Sequence, residues 1–174
     1  MRRGTLLAVA LACTGPAAAA PLTVSKASVV VADGVDLANP KAIPGAAVDY
    51  TILVANPGAN TLATVGRVTV TDPLPAGVKL RVADLGAAGS GPVEFVDGNL
   101  LGLGLLGSGL SFAFASLGSS ADGVDFSADG VSWGYVPVPD ASGCDPAVRA
   151  IRVRLSGNQV AGSGFRLRFR VVVK

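Results

Sequence analysis

The chain has 174 residues, 50% of them hydrophobic and 15% charged, with 23 glycines, 11 prolines, no histidine and a formal charge of +2. A chain this apolar is not disordered, and one this rich in glycine and proline is not a coiled coil or helical bundle. Without an imidazole, histidine-dependent catalysis and most zinc sites are excluded.

The chain starts with the basic Met1-Arg2-Arg3. An apolar run from Thr5 to Cys13, the Gly15-Pro16 break and the small residues Ala17 to Ala20 come next. This is the layout of a secretory signal peptide over residues 1–20, cut near 18–20, after Ala18 or Ala19 by preference. A lipoprotein junction at Ala12-Cys13 and a retained anchor are the alternatives. Export places the protein in the periplasm, at the cell surface or outside the cell. Loss of Arg2 and Arg3 leaves bases and acids equal in number, so the mature charge is zero. Cys144 then stands alone, which precludes an internal disulfide. It reads as a small buried or loop residue, with an intermolecular bridge as the alternative. Residues 21–174 are expected to form one domain.

Strand signals dominate from Leu22 onward. Leu22 to Ala32 is rich in Val, Thr and Ser. Val48, Tyr50, Ile52 and Val54 alternate with Asp49, Thr51, Leu53 and Ala55, as in a strand with one face on a core. Asn56-Pro57-Gly58 is a turn. Val65 to Thr71 resumes the alternation, and Asp72-Pro73-Leu74-Pro75 is expected to end it, because proline cannot donate to a ladder. Val78 to Val82 and Pro92 to Val96 are short strand candidates. Asn99 to Ala121 is uncharged, but its glycines and serines argue against a membrane span. Residues 97–110 form a Leu/Gly-rich insertion. Val124 to Ala128 and Val131 to Val136 flank Asp129-Gly130, a hairpin signal.

The last segment alternates most clearly. Ile151, Val153 and Leu155 oppose Arg152 and Arg154, and Phe165, Leu167, Phe169, Val171 and Val173 oppose Arg166, Arg168, Arg170 and Lys174. A loop from Ser156 to Gly164 would join two antiparallel partners. One face would be core and the other a ladder of arginines. About seven to ten short strands imply an all-β antiparallel sandwich.

Two stretches carry a resemblance. One is Ile43-Pro44-Gly45 through Tyr50-Thr51-Ile52-Leu53-Val54-Ala55-Asn56-Pro57-Gly58, and the other is Val68-Thr69-Val70-Thr71-Asp72-Pro73-Leu74-Pro75-Ala76-Gly77. Together they are similar to the bacterial conserved-repeat surface domain (domain of unknown function eleven). Phe126 to Gly130, Pro139 to Pro146 and the final strand resemble later parts of single-copy secreted relatives. The resemblance implies an immunoglobulin-like sandwich in exported surface proteins and no catalytic residues. The core match spans roughly residues 22 to 84.

Candidate chemistry is sparse. Asp122, Asp125 and Asp129 could offer oxygens to calcium, or be ordinary turn acids beside Gly123 and Gly130. No cofactor is expected otherwise. Trp133 and Tyr135 could stack on a sugar, or belong to the core. The serines form no nucleophile elbow. The charges are segregated: no base lies between Val82 and Val148, and no acid follows Asp145. The basic end is either a solvated face that also keeps an edge strand from pairing, a complement to the acidic middle within one subunit or between subunits, or a surface for anionic polysaccharide or lipid headgroups. Its candidate interaction residues are Arg152, Arg154, Arg166, Arg168, Arg170 and Lys174. Nucleic acid is not expected, because exposed aromatics do not interleave with the bases. The expected function is a non-catalytic structural or adhesive surface module, with other surface proteins or its own copies as partners. A carbohydrate- or calcium-binding domain is the alternative.

Overall fold

The computed structural model describes residues 19–61 and 65–174. The expected leader, with Cys13, lies outside them up to residue 18. The described chain is all-β and antiparallel. A large sheet holds β1 (Thr23–Ala32), β2 (Ala47–Ala55), β12 (Gly164–Val173), β5 (Val78–Arg81) and β9 (Cys144–Asp145) in that order, with β6 (Val93–Asp97) also on β12. A second sheet has the order β4 (Thr69–Pro73), β10 (Ala150–Arg154), β8 (Val124–Ser127). A third, smaller sheet has the order β3 (Val65–Gly66), β11 (Ser156–Gln159), β7 (Leu110–Ser111).

The first two sheets enclose one apolar cluster. Ile52 and Val54 of β2, Leu80 of β5, and Phe165, Leu167, Phe169 and Val171 of β12 contribute from one side. Val124 and Phe126 of β8 and Ile151 and Val153 of β10 contribute from the other. Alternation along each strand is therefore the packing rule that the sequence suggests. Each large side chain so buried contributes about 1.5–3 kcal/mol. Cys144 joins this interior as a free, fully buried thiol.

Several expectations need correction. β10 and β12 do not pair; they lie in different sheets. Both bury their odd-numbered side chains in the shared core, which alternation alone cannot distinguish from a hairpin. The connection between them is not only loop, since β11 lies within it. The strand expected over Val65 to Thr71 is two strands. Arg67 between them has φ 54°, in the left-handed region, and there the chain changes sheets. The second of these does end within residues 72–75, as expected, with Pro73 as its last residue, opposite Ala150. β4 is an edge strand, where a missing N–H costs no ladder bond. The Asp129-Gly130 hairpin is not a ladder: Tyr135 alone forms a bridge, to Phe126. Ser127 and Asp129 close that turn with side-chain bonds to Gly130, Val131 and Ser132. Within the Leu/Gly-rich insertion, Gly98–Leu100 is a single 3₁₀ turn and Leu100, Leu103 and Leu106 are exposed. Among the described residues no helix is long and apolar enough to cross a membrane.

Where β1 enters, Asn60 clasps the backbone of Ala20. Its Nδ2 donates to the Ala20 carbonyl and its Oδ1 accepts from the Ala20 N–H, both at 2.8 Å. Asn60 is buried and Nδ2 also donates to Asn56 Oδ1.

Candidate functional site

The arginine ladder splits into two clusters, one on the outer face of each principal sheet. Arg166, Arg168 and Arg170 project outward from β12, because Phe165, Leu167 and Phe169 take the core face. Register puts Arg170 directly opposite Asp49 of β2 and Arg168 directly opposite Glu94 of β6. Opposite charges at facing positions on one side of a sheet attract, and guanidinium forks fit carboxylates. Arg170 donates to both Asp49 oxygens, at 2.5 and 3.0 Å. Arg168 donates to both Glu94 oxygens, at 2.9 and 3.0 Å, and reaches Asp49 at 2.7 Å. Arg166 adds a longer contact to Glu94, at 3.4 Å. The result is a continuous ionic chain across β6, β12 and β2.

The second cluster is smaller. Arg152 and Arg154 share Asp125 of β8, with Arg152 directly opposite it. Arg154 also donates to the Asp122 carbonyl at 2.8 Å. The Arg152 guanidinium lies 4.4 Å from the centre of the Trp133 ring, a cation–π distance. Lys174 stands apart from both clusters and donates to the Ala76 carbonyl.

Asp122, Asp125 and Asp129 are not brought together around a common point. Asp122 accepts backbone N–H groups from Ala115 and Val124. Asp125 is in the ion pairs above, and Asp129 organises its turn. Among the described residues no three carboxylates or thiols group so as to hold a metal. Tyr135 packs against the core and donates its hydroxyl to Asp145 at 2.9 Å, whereas Trp133 is only half-buried beside Arg152.

Asp49 is the residue that the segregation of charge conceals. It precedes the acidic middle and lies 119 and 121 residues before its partners. The available signal is its place on the polar face of an alternating strand.

The carboxyl groups of Asp49, Glu94 and Asp129 are held below their ordinary range. Burial pushes Asp49 up, but the hydrogen bonds from Arg170 and Arg168 outweigh it. Arg168 lowers Glu94, and the backbone N–H groups of Val131 and Ser132 lower Asp129. Carboxyls depressed on folding release protons that the unfolded chain still holds. Their stabilisation is complete above about pH 5 and is lost as pH falls below the ordinary carboxylate values. With no histidine, stability should stay flat from about pH 6 to 8. Urea midpoints across pH 3–8 check this: a plateau with an acid fall is expected, and a rise toward acid pH would contradict it.

Nothing among protein-family models, curated proteins or solved structures matches this chain. The observed class is an all-β sandwich whose outer faces carry paired charge.

Proposed function

We propose that the protein is an exported, non-catalytic structural or adhesive surface module of immunoglobulin-like type, working through protein–protein contacts. The observation that carries this is the internal pairing of the arginine ladder. Charges locked to Asp49, Glu94 and Asp125 stiffen a sandwich; they do not converge on a reactive point. The resemblance to the conserved-repeat surface domain supports the same assignment. Deleting the gene should weaken adhesion or envelope integrity, with no loss of a metabolic reaction. A substrate turned over by the purified protein would overturn the proposal.

Export has its own test. The Asn60 clasp on Ala20 favours a cut that leaves Ala20 on the mature chain. N-terminal sequencing of the exported protein should begin at Ala19 or Ala20. A start at Pro21 or beyond would contradict this.

The half-exposed Trp133 ring favours a second assignment, to an extracellular carbohydrate-binding domain, with calcium binding as its variant. A glycan array and calcium calorimetry test it, and glycan hits lost in Trp133→Ala would support it over the first.

A further inference from the structure

We propose that β1 pairs antiparallel with β1 of a second copy, about a two-fold axis at Ala27, so that two large sheets become one. This deepens the contact-module proposal by naming the edge and the partner. β1 ends the order of the large sheet, so one side of its backbone has no neighbouring strand among the described residues. It is ten residues long and exposed at every position except Val30, with Val24 and Val29 each 61% exposed. Sheet proteins usually guard such an edge with charge, proline or shortness. β4 and β9 are short, and β4 carries Pro73. β1 has no proline and a single charge, Lys26.

That charge does not guard the edge. Lys26 faces Ile52, on the core side of the sheet, and reaches across the open seam of the sandwich. Its ammonium lies 2.7 Å from Asp72 and 4.4 Å from the Tyr50 ring centre. The edge is therefore both long and unprotected.

The pattern of β1 suits its own copy. Facing residues in an antiparallel pair share a side of the sheet. To align core side with core side, even positions must face even positions. An axis at Lys26 would set lysine against lysine, and one at Ser28 would set Lys26 against Val30. An axis at Ala27 sets Val24 against Val30 of the copy and Lys26 against Ser28. It also uses the regular stretch of β1, which is interrupted between Val30 and Ala32. The contact is isologous, so it closes as a dimer.

Sedimentation of the purified protein over a wide concentration range tests this. The wild type should show a reversible monomer–dimer equilibrium. Ala27→Lys and Ala27→Glu each place like charges face to face at the axis, and each should weaken dimerisation at least tenfold. An equimolar mixture of the two should dimerise again. As a check independent of the variants, protection of β1 amides from hydrogen exchange should rise with wild-type concentration. A monomer at every concentration, or dimers unaffected by either substitution, would overturn the self-pairing. Neither result bears on the deletion phenotype, which judges the contact-module proposal separately.

Discussion

Asp49→Ala is expected to lower stability by about 2–3 kcal/mol. Asp49 is 6% exposed and holds two guanidinium groups at once. Removing one partner of a buried ion pair costs about 3–5 kcal/mol, because the remaining charge is left uncompensated. Arg168 and Arg170 are 27% and 28% exposed, so water relieves part of that cost. Arg168 also keeps its fork to Glu94. The effect should appear as a fall in thermal midpoint of roughly 5–10 °C. Asp49→Asn retains an acceptor and should fall between the two. Glu94→Ala should cost less than Asp49→Ala, since Glu94 is 35% exposed. If Asp49→Ala melts with the wild type, the ionic chain contributes nothing.

Phe165→Ala should cost about 3–5 kcal/mol, as large-to-small changes at fully buried aromatics do. Phe165 is 0% exposed and lies where three strands meet. Val54 of β2 and Asp97 of β6 flank it in register, and its ring centre is 5.8 Å from that of Phe95. Urea unfolding measures the cost, with an unchanged m-value marking a change in stability alone. Trp133→Ala is the control. Its ring is half-exposed, and its loss should cost under about 1 kcal/mol. A Phe165→Ala cost no larger than that of Trp133→Ala would contradict the placement of the core.

The strands were legible where one face is buried. β2, β10 and β12 follow the alternation of Val, Ile, Leu and Phe with Asp, Thr and Arg. Which strands become neighbours was not legible. Ile151–Leu155 and Phe165–Val173 both face the same core, and period-two alternation is identical for a hairpin and for strands in opposed sheets. Arg67 breaks a strand because its backbone adopts a conformation that its side chain does not announce. Asp129-Gly130 has the composition of a hairpin turn, yet the side-chain bonds of Ser127 and Asp129 close it more tightly than a ladder requires.

For the candidate site, the arginines were visible and their partners only partly so. Complementarity between an acidic middle and a basic end holds for Glu94 and Asp125. Most other acids of the middle have a different role. Asp84, Asp97 and Asp122 accept backbone N–H groups in turns. Asp49 escaped because its pairing is set by strand register, not by nearness in sequence. Arg152 and Arg154 likewise have their own acid on their own sheet.

The central claim is that the arginine ladder acts inside the chain, as an ionic brace. A double-mutant cycle between Asp49 and Arg170 tests it most directly, with Asp49→Ala, Arg170→Ala and the double variant measured by urea unfolding. The brace predicts a coupling of at least about 1 kcal/mol, with the double variant less damaged than the sum of the single changes. Additivity within about 0.3 kcal/mol would contradict it.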